Sequence, residues 1–357
     1  MAKVTFVGAG SVVFARHLIS DILYHPELRD STISLMDIDA ERLELINKLA
    51  RSMVSKYAPK AKVESTLNRR EALKDSDYVI IMIQVGGLDA FELDINIPLK
   101  YGVNQEVGDT IGPGGVFRGL RTIPVLLDIC KDMEYLCPDA LLINYANPMA
   151  VNCWAMNKAS KIRNVGLCHS VQGTAMQLAR YIGVTFEDVS YWVAGINHQA
   201  FFLEYRYKGE DAYPLLWEAS KKKEIYDQDR DRFEMMRYLG YFITESSHHL
   251  GEYVPYFRTT AERRKMYCEP RWFYLEICKE AWKPHYEQIK RQISGEEPIE
   301  ISRSHEYGVD IIYSSETGNP CRINGNVDNN RLITNLSQGC CVEVPSLVDK
   351  NGIHPCY

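Results

Sequence analysis

A short apolar run that ends in two glycines, near the start of the chain, constrains its fold more than any other stretch. Residues 3–7 have the composition of a buried β-strand, Gly8 and Gly10 follow, and residues 15–24 carry the apolar spacing of a helix. Gly8 permits a tight turn, and Gly10 lets the backbone approach a pyrophosphate at the helix N-terminus. We therefore predict a strand, turn and helix that bind a dinucleotide. The predicted cofactor contacts in this turn are Gly8, Gly10, Ser11, Val12 and Phe14.

An acidic residue ends the second predicted strand, where a dinucleotide would present its adenosine ribose. Residues 33–37 have the pattern of a strand that ends at Asp37, whose carboxylate would accept the ribose hydroxyls and favour NAD over NADP. Alternatively, Asp37 or Asp39 caps the helix predicted over residues 41–57. Because Val13 replaces the usual third glycine of the turn, the prediction of NAD depends on Asp37 as well as on the glycines.

Strand patterns alternate with helical segments through the first half of the chain. Residues 78–85 and 140–144 form the third and fourth predicted strands, and this alternation indicates a doubly wound parallel sheet. From a strand-like run at residues 192–207 onward, the character changes to a mixture of helices and strands. A chain of 357 residues is long enough for two domains. We predict an α/β fold like that of lactate and malate dehydrogenases, with a Rossmann-like domain over residues 1–190 and an α+β substrate and oligomerisation domain over residues 191–357.

Composition excludes several classes of partner. Lys and Arg total 41 against 47 Asp and Glu, which gives a net charge of −6, and no basic run with interleaved aromatic residues indicates a nucleic-acid surface. No apolar run approaches the ~20 residues of a membrane span, and the N-terminus opens directly into a strand. The ten cysteines form no CxxC motif, which fits reduced thiols. We expect a soluble cytoplasmic protein without nucleic-acid or membrane partners.

Two further strand patterns end in side chains that can bind metals. Cys168 and His169 follow one apolar run, and His198 lies just after another at residues 191–194. Cys168 with His198 would form a mixed sulfur and nitrogen site, which suits borderline-soft divalent ions such as Mn²⁺, Fe²⁺, Co²⁺, Ni²⁺ or Zn²⁺. The alternative is that both residues are packed in the core, as buried cysteines commonly are.

Polar side chains cluster at three other places. Residues 104–115 are polar, glycine-rich and not periodic, as in an active-site loop or a plain surface loop. Asn147 follows the fourth strand, where ligands of open α/β sheets bind, although it could instead cap a helix. Residues 244–257 are dense in ionisable side chains and are predicted to be a loop. Because His248 and His249 are adjacent, they face differently, and we expect at most one of them in a site.

Short stretches in a fixed order along the chain carry a family resemblance. They are Gly8-Ala9-Gly10-Ser11, Asn147-Pro148, Cys168-His169-Ser170 and Asn197-His198. Supporting stretches are residues 108–115, 252–255, 324–327 and 342–345. With these, the chain resembles glycoside hydrolase family 4, the NAD- and metal-dependent glycosidases, over its whole length. Cys168-His169-Ser170 followed by Val-Gln-Gly-Thr looks like the α-galactosidase (melibiase) branch. Members usually continue past the stretch at residues 342–345 with further helices, so we expect a C-terminal tail that is either absent or lies beyond Tyr357.

The resemblance implies hydrolysis of α-galactosides of the melibiose type with two cofactors, NAD and Mn²⁺ or another divalent metal. This family is an exception to glycosidases that use two carboxylates. NAD⁺ takes hydride from C3 of the sugar, and the ketone acidifies the C2 proton while the metal polarises the carbonyl. A base removes the C2 proton, the glycosidic oxygen leaves, water adds, and the hydride returns.

The resemblance also implies roles for particular residues. The base is Tyr253, and because a tyrosine has a reference pKa of ~10, a nearby cation must lower the pKa of its phenol. Phosphoglycosidases of the family carry Asp at the position of His169 as the general acid, so the acid in this chain is open. The implied residues are Cys168 and His198 as metal ligands, Tyr253 as base, Asn147 and Asp109 as sugar contacts, and Asp109, or second His169, as leaving-group acid.

Other activities remain open from the sequence. A 2-hydroxy-acid dehydrogenase shares the Gly-x-Gly turn and the Asn-Pro pair, but it leaves Cys168 unexplained. A family 4 enzyme with another specificity, such as an α-glucosidase, an α-glucuronidase or a galacturonidase, is a second alternative, and a non-catalytic NAD sensor is a third. We expect a small sugar as the substrate and a homodimer or homotetramer as the assembly.

Overall fold

A single mixed β-sheet organises the protein, which is described by a computed structural model that covers residues 1–269 and 272–357. The sheet has twelve strands within the described residues. They are β1 Lys3–Val7, β2 Thr32–Met36, β3 Lys62–Thr66, β4 Tyr78–Ile81, β5 Leu141–Asn144, β6 Asn164–Gly166, β7 Val189–Ile196, β8 Gln199–Tyr207, β9 Glu210–Asp211, β10 Cys321–Asp328, β11 Cys341–Asp349 and β12 Gly352–Pro355.

Helices flank the sheet and connect its strands. They are α1 Phe14–Tyr24, α2 Ala40–Tyr57, α3 Arg69–Leu73, α4 Gly87–Lys100, α5 Gly112–Leu136, α6 Met149–Ala159, α7 Ser170–Ile182, α8 Tyr213–Ala219, α9 Lys223–Tyr226, α10 Arg230–Leu239, α11 Ser247–Tyr253, α12 Ala261–Tyr267, α13 Tyr274–Ser294 and α14 Tyr307–Thr317. Across the described part of the chain, none of these helices combines the length and apolar character that crossing a membrane requires.

The strand order confirms the predicted doubly wound sheet. The path runs β3-β2-β1-β4-β5-β6-β10-β11-β7-β8-β9, with β12 paired to β11. Neighbours from β3 to β6 are parallel, and β10 joins β6 in the antiparallel sense. The order reverses between β1 and β4, which is the switch point where α/β sheets bind ligands beyond the carboxyl ends of their strands. The strands of the second half extend the same sheet, so the predicted division at residue 190 stays a prediction.

Alternation along the central strands explains why both faces are covered. In β4, Ile80 packs into a cluster with α1 and α2, whereas Val79 and Ile81 pack into a second cluster with α5 and α6. Successive side chains of a strand point to opposite faces, so a run that is apolar throughout needs helices on both sides. All three residues are completely buried. The strand is four residues long and ends at Ile81, so our boundary at residue 85 was wrong.

Two predicted loops contain helical turns. Helix α5 begins at Gly112, inside the stretch predicted as a loop, because Pro113 occupies a first-turn position where its missing N–H leaves no donor unpaired. Helix α11 occupies residues 247–253 of the second predicted loop, and the Ser246 hydroxyl caps it by accepting from the His249 N–H. Both predictions missed these capping signals, and both helices place polar side chains at the same edge of the sheet.

Candidate active site and metal centre

The turn after β1 is a tight backbone turn whose two glycines have no room for a side chain. Gly8 has φ +92°, and a Cβ there would lie 2.7 Å from the Met82 carbonyl oxygen, so only glycine fits. The Gly10 N–H donates to a carboxylate oxygen of Asp37 at 2.7 Å, and a Cβ on Gly10 would lie 2.8 Å from that oxygen. Ser11 closes the turn by donating its N–H to the Gly8 carbonyl at 3.1 Å. The turn and the acidic end of β2 therefore form one unit.

Asp37 and Asp39 separate into two roles. Asp39 is the N-cap of α2, since its carboxylate accepts from the N–H groups of Glu41 and Arg42. Asp37 is half-buried and accepts from Gly10 and from the Asp39 N–H, at 2.9 Å. The capping alternative thus applies to Asp39, which leaves Asp37 beside the glycines. Its contact with NAD remains a prediction.

The first residue of α1 connects this turn to the cysteine and histidine pair. Val12 is buried beneath the turn, and Phe14 begins the helix. The Phe14 ring lies 5.4 Å, centroid to centroid, from both Tyr145 and His169. A ligand seated on the turn would therefore come close to the residues that follow β6.

A thiol, an imidazole and a carboxylate meet beyond β6 and β7. The potential ligand atoms of Cys168, His198 and Glu245 all lie within 4.8 Å of one another. Burial alone would lower the pKa of His198, but the Cys168 sulfur, with Glu245 and Asp109, raises it to about 10. A site with three acidic groups and these donor types fits a borderline divalent cation. The predicted approach of Cys168 to His198 is present in the structure, whereas Glu245 was missed.

Two hydroxyl groups contact Nδ1 of the His198 ring and determine that this nitrogen is protonated. Its Nδ1 lies 2.9 Å from the Thr110 hydroxyl and 3.0 Å from the Tyr253 hydroxyl. Thr110 donates its single hydrogen to Asp109 at 2.9 Å, so it accepts from His198. His198 therefore carries a proton on Nδ1, and a bound cation would take the place of the second proton, which the raised pKa keeps on Nε2.

Tyr253 ends α11 within this network. Burial, followed by the charge of Asp109, raises the pKa of its phenol well above the ordinary value of 10. The side chains of this chain therefore hold Tyr253 neutral. A bound cation would act in the opposite direction, because an adjacent positive charge favours the phenolate.

Asp109 and Asn147 face each other across the site. The Asn147 side-chain NH₂ donates to Asp109 at 3.2 Å. The side-chain oxygen Oδ1 of Asn147 is buried with no hydrogen-bond partner among the described residues. A ligand hydroxyl would satisfy that oxygen. Burial would raise the pKa of Asp109, but the neighbouring charges of His249, His198 and Arg118 hold it below its usual value. An ionised carboxylate is poorly suited to donating a proton.

His169 has a carboxylate partner that the sequence did not reveal. Its Nε2 is bonded to the carboxylate of Glu306, and the His169 side chain is 52% exposed. Partial desolvation would lower the pKa of His169, but Glu306 raises it to about 9. His169 is therefore an imidazolium, directly after Cys168 in the sequence. Glu306 lies 137 positions away, so no local pattern could have indicated it.

The adjacent histidines of α11 face different surroundings, as predicted. His249 is buried, with Nδ1 2.8 Å from the Ser246 hydroxyl, and its ligand atoms form a second close group with Asp109 and His198. His248 instead binds Glu106 at 2.8 Å. Only His249 reaches the site.

A cavity of about 660 Å³ opens onto Thr110, His198 and Tyr253. Most of its wall comes from β7, β8 and residues 332–336, which are largely apolar. This volume lies in the range of small-molecule sites.

Comparisons with known proteins agree on one family. Residues 3–184 match the model described as family 4 glycosyl hydrolase, and residues 193–357 match its C-terminal domain. An alpha-galactosidase of Bacillus subtilis is 40% identical over all of this chain and 83% of its own length. An alpha-galactosidase of Rhizobium meliloti is 38% identical over 99% of this chain and 74% of its own length.

Solved structures have the same fold. The Bacillus subtilis protein lplD, provisionally named a glucosidase, aligns with a TM-score of 0.88 at 27% identity, covering 100% of this chain and 86% of its own. A 6-phospho-alpha-glucosidase from gut microorganisms, solved with NAD and Mn²⁺, aligns at 0.82 and 22% identity over 99% and 84% of the two chains. A malate dehydrogenase from Plasmodium falciparum aligns at 0.55 and 14% identity over 99% and 90%. The last two likenesses show the fold alone, and they confirm the predicted dehydrogenase-like architecture.

Proposed function

The chain belongs to the family 4 glycosyl hydrolases, and from that premise we propose that it hydrolyses α-galactosides by oxidation and elimination. The relatives at 40% and 38% identity are named alpha-galactosidases, which supports this sugar. One observation carries the mechanism: a single imidazole, His198, lies between a thiol ligand and a buried tyrosine. A glycosidase that acts through two carboxylates does not require a thiol, an imidazole and a tyrosine in contact.

We propose that NAD lies on the turn after β1 against Asp37, and that Cys168 and His198 hold Mn²⁺ or another divalent cation. When bound, these groups would supply reversible oxidation of the sugar at C3 and polarisation of the resulting carbonyl. The unpaired Asn147 oxygen supports a contact with a sugar hydroxyl. The neighbouring structure solved with NAD and Mn²⁺ supports both cofactors.

Tyr253 is proposed as the base that takes the C2 proton. The single Nδ1–H of His198 is shared between the hydroxyl oxygens of Thr110, at 2.9 Å, and Tyr253, at 3.0 Å, so the same imidazole that would offer Nε2 to the cation stabilises the phenolate. Positive charge transmitted in this way offsets the burial that holds the phenol neutral. Tyr253 therefore functions only when the cation site is filled.

His169 is proposed as the leaving-group acid, ahead of Asp109. The carboxylate of Asp109 is already bonded to Thr110 and Asn147, and its pKa lies below the usual range. His169 is half exposed beside Cys168 and is kept protonated by Glu306. Asp109 instead orients Asn147 and Thr110, which reverses the order expected from the sequence.

Assays with a panel of substrates test this function. Protein stripped of nucleotide and metal should be inactive on nitrophenyl α-galactoside and regain activity with catalytic NAD⁺, Mn²⁺ and a thiol, without net release of NADH. Activity of the stripped protein would contradict the mechanism. A tenfold preference for α-glucosides, α-galacturonides or phosphorylated sugars would contradict the sugar, and accumulation of NADH would favour a dehydrogenase.

We also propose a division into residues 1–190 and 191–357, supported by separate family-model matches to residues 3–184 and 193–357. A homodimer or homotetramer is proposed because α4 and α5 expose apolar side chains to solvent. These are Leu93, Ile97, Val116, Phe117 and Leu120. Such a patch is typical of an interface. A cytoplasmic location is proposed from the ten cysteines, all of which are free thiols.

A further inference from the structure

Glu245 has a backbone conformation that its side chain does not favour. Its φ is 69°, in the left-handed region that glycine adopts readily and other residues rarely do. Residues held in this region are commonly found at ligand sites. A glycine at this position would relieve the backbone, so the presence of glutamate calls for a role for its carboxylate.

Buried groups hold the Glu245 backbone in place. Arg232 is 1% exposed and donates to the Glu245 carbonyl oxygen, and its guanidinium is held by the carboxylate of Asp229. The Glu245 N–H donates to the Thr174 hydroxyl at 3.0 Å. These contacts bind the main chain on both sides of Cα. They leave the carboxylate free to project toward Cys168.

The Glu245 carboxylate makes few contacts with the other residues that the structure describes. Its ion-pair contact among the described residues is with His249 Nδ1 at 3.7 Å, beyond hydrogen-bonding distance. Its oxygen lies within 4.8 Å of both the Cys168 sulfur and a ring nitrogen of His198. A partly buried carboxylate beside a thiol and an imidazole, with no hydrogen bond from any of the residues that the structure describes, has the position of a ligand.

We propose that Glu245 is the third protein ligand of the divalent cation, with Cys168 and His198. The proposal rests on the proposed function, which places the cation there. Three protein donors on a six-coordinate ion leave three positions for sugar hydroxyls and water. The carboxylate also favours a harder ion such as Mn²⁺ over the soft ions that a thiolate alone would select.

The competing group of Asp109, His198 and His249 fits less well. Asp109 already accepts from Thr110 and Asn147, and His249 Nδ1 is engaged by the Ser246 hydroxyl at 2.8 Å. The two groups share His198, but Nδ1 of that ring is occupied by Thr110 and Tyr253. A cation on Nε2 with Cys168 and Glu245 leaves all of these bonds intact.

Glu245→Gly and Glu245→Gln, with His249→Gln as the matched control, test the assignment. Binding of Mn²⁺ to chelator-treated protein is followed by the electron paramagnetic resonance signal of free Mn²⁺, and melting temperature is measured on the same samples. We expect Glu245→Gly to melt at or above the wild-type temperature while its Mn²⁺ affinity falls at least tenfold. Glu245→Gln should also lose at least tenfold, and His249→Gln should stay within threefold.

Co²⁺ substitution separates this inference from the function on which it rests. The thiolate-to-Co²⁺ absorption band should persist in Glu245→Gly at saturating Co²⁺, with altered visible bands, and vanish in Cys168→Ser. If the wild type binds neither ion, the proposed function and this inference both fail. If the wild type binds Mn²⁺ and both Glu245 variants bind it equally well, only the assignment of Glu245 is overturned. Loss of affinity in His249→Gln alone would assign the cation to the competing group.

Discussion

The dinucleotide turn and the cluster around His198 lie at the same edge of the sheet but are assembled differently. The turn is made by residues close in sequence, and its bond from Gly10 to Asp37 spans 27 positions. His198 instead meets Thr110 and Tyr253, which are 88 and 55 positions away. The proposed cofactor site follows from local backbone geometry, whereas the proposed catalytic site is assembled where β10 and β11 join the two halves of the sheet. Substitutions in the two regions should therefore have separable effects.

The largest expected effect lies on the cluster side. Tyr253→Phe removes the phenol but keeps the ring, so folding and NAD⁺ binding should persist while kcat falls by ~10²–10⁴, the usual contribution of a general base. Steady-state kinetics with nitrophenyl α-galactoside measure this. Tyr256 is 51% exposed, and Tyr256→Phe is the control that should keep most of its rate. Equal losses in the two variants would remove Tyr253 from its role.

A buried acid behind His198 should make stability depend on pH. Glu343 accepts from Asn197 and Asn326, and burial raises its pKa to about 7 from 4.5. The folded protein then keeps a proton that the unfolded chain releases, so the free energy of unfolding falls as pH rises from 4.5 to 7, by at most about 3 kcal/mol.

Glu343→Gln should lack that component of the pH slope. Urea unfolding in chelator across this range, for wild type and variant, measures the difference. Parallel pH profiles would show that Glu343 is ionised in the folded protein. The difference between the two profiles measures how much free energy of unfolding the burial of Glu343 removes as pH rises.

The leaving-group acid can be identified by comparing substrates whose leaving groups differ in their need for a proton. His169→Gln should slow melibiose hydrolysis by ~10²-fold, because a sugar alkoxide needs a proton as it departs. Nitrophenol leaves without that help, so nitrophenyl α-galactoside should be affected much less. Asp109→Asn should lower both rates by a similar factor, through its bonds to Asn147 and Thr110. A loss selective for melibiose in Asp109→Asn would exchange the two roles.

The smallest effects belong to the turn, where two neighbouring acids can be compared. Asp37→Ala should weaken NAD⁺ binding by roughly 1–3 kcal/mol through loss of charge-assisted hydrogen bonds, with kcat unchanged at saturating NAD⁺. Asp39→Ala removes the N-cap of α2 and should lower the free energy of unfolding by about 1 kcal/mol without altering NAD⁺ affinity. Calorimetry and urea unfolding distinguish them. If Asp39→Ala, rather than Asp37→Ala, weakens NAD⁺ binding, Asp37 is not the carboxylate that contacts NAD.

The same contrast explains how much could be predicted from the sequence. The Gly8 turn, Asp37 and most of the parallel strands follow from patterns within a few tens of residues, and the structure places these as expected, whereas β3 was not predicted. Cys168 and His198 could be identified as candidates because each follows an apolar strand. Their meeting could not be derived from spacing, since it depends on how β10 pairs with β6 and β11 with β7.

The missed residues share a physical reason. Glu306 reaches His169 across 137 positions, and Glu343 reaches Asn197 across 146. Nothing near a glutamate in the sequence shows that it will be buried against a distant imidazole or amide. Glu245 lies in a stretch that was recognised as rich in ionisable groups, but its left-handed backbone conformation becomes visible only in the folded chain.

The central claim is that the C–O bond breaks after proton removal at C2, with Tyr253 as base. Turnover of an α-galactoside in D₂O, followed by mass and NMR analysis of the released galactose, measures this directly. We predict that galactose released by the wild type carries one deuterium at C2. The slow Tyr253→Phe variant should produce no detectable deuterated galactose in the same time. Galactose that keeps its original hydrogen at C2 while hydrolysis proceeds at the full rate would contradict the account.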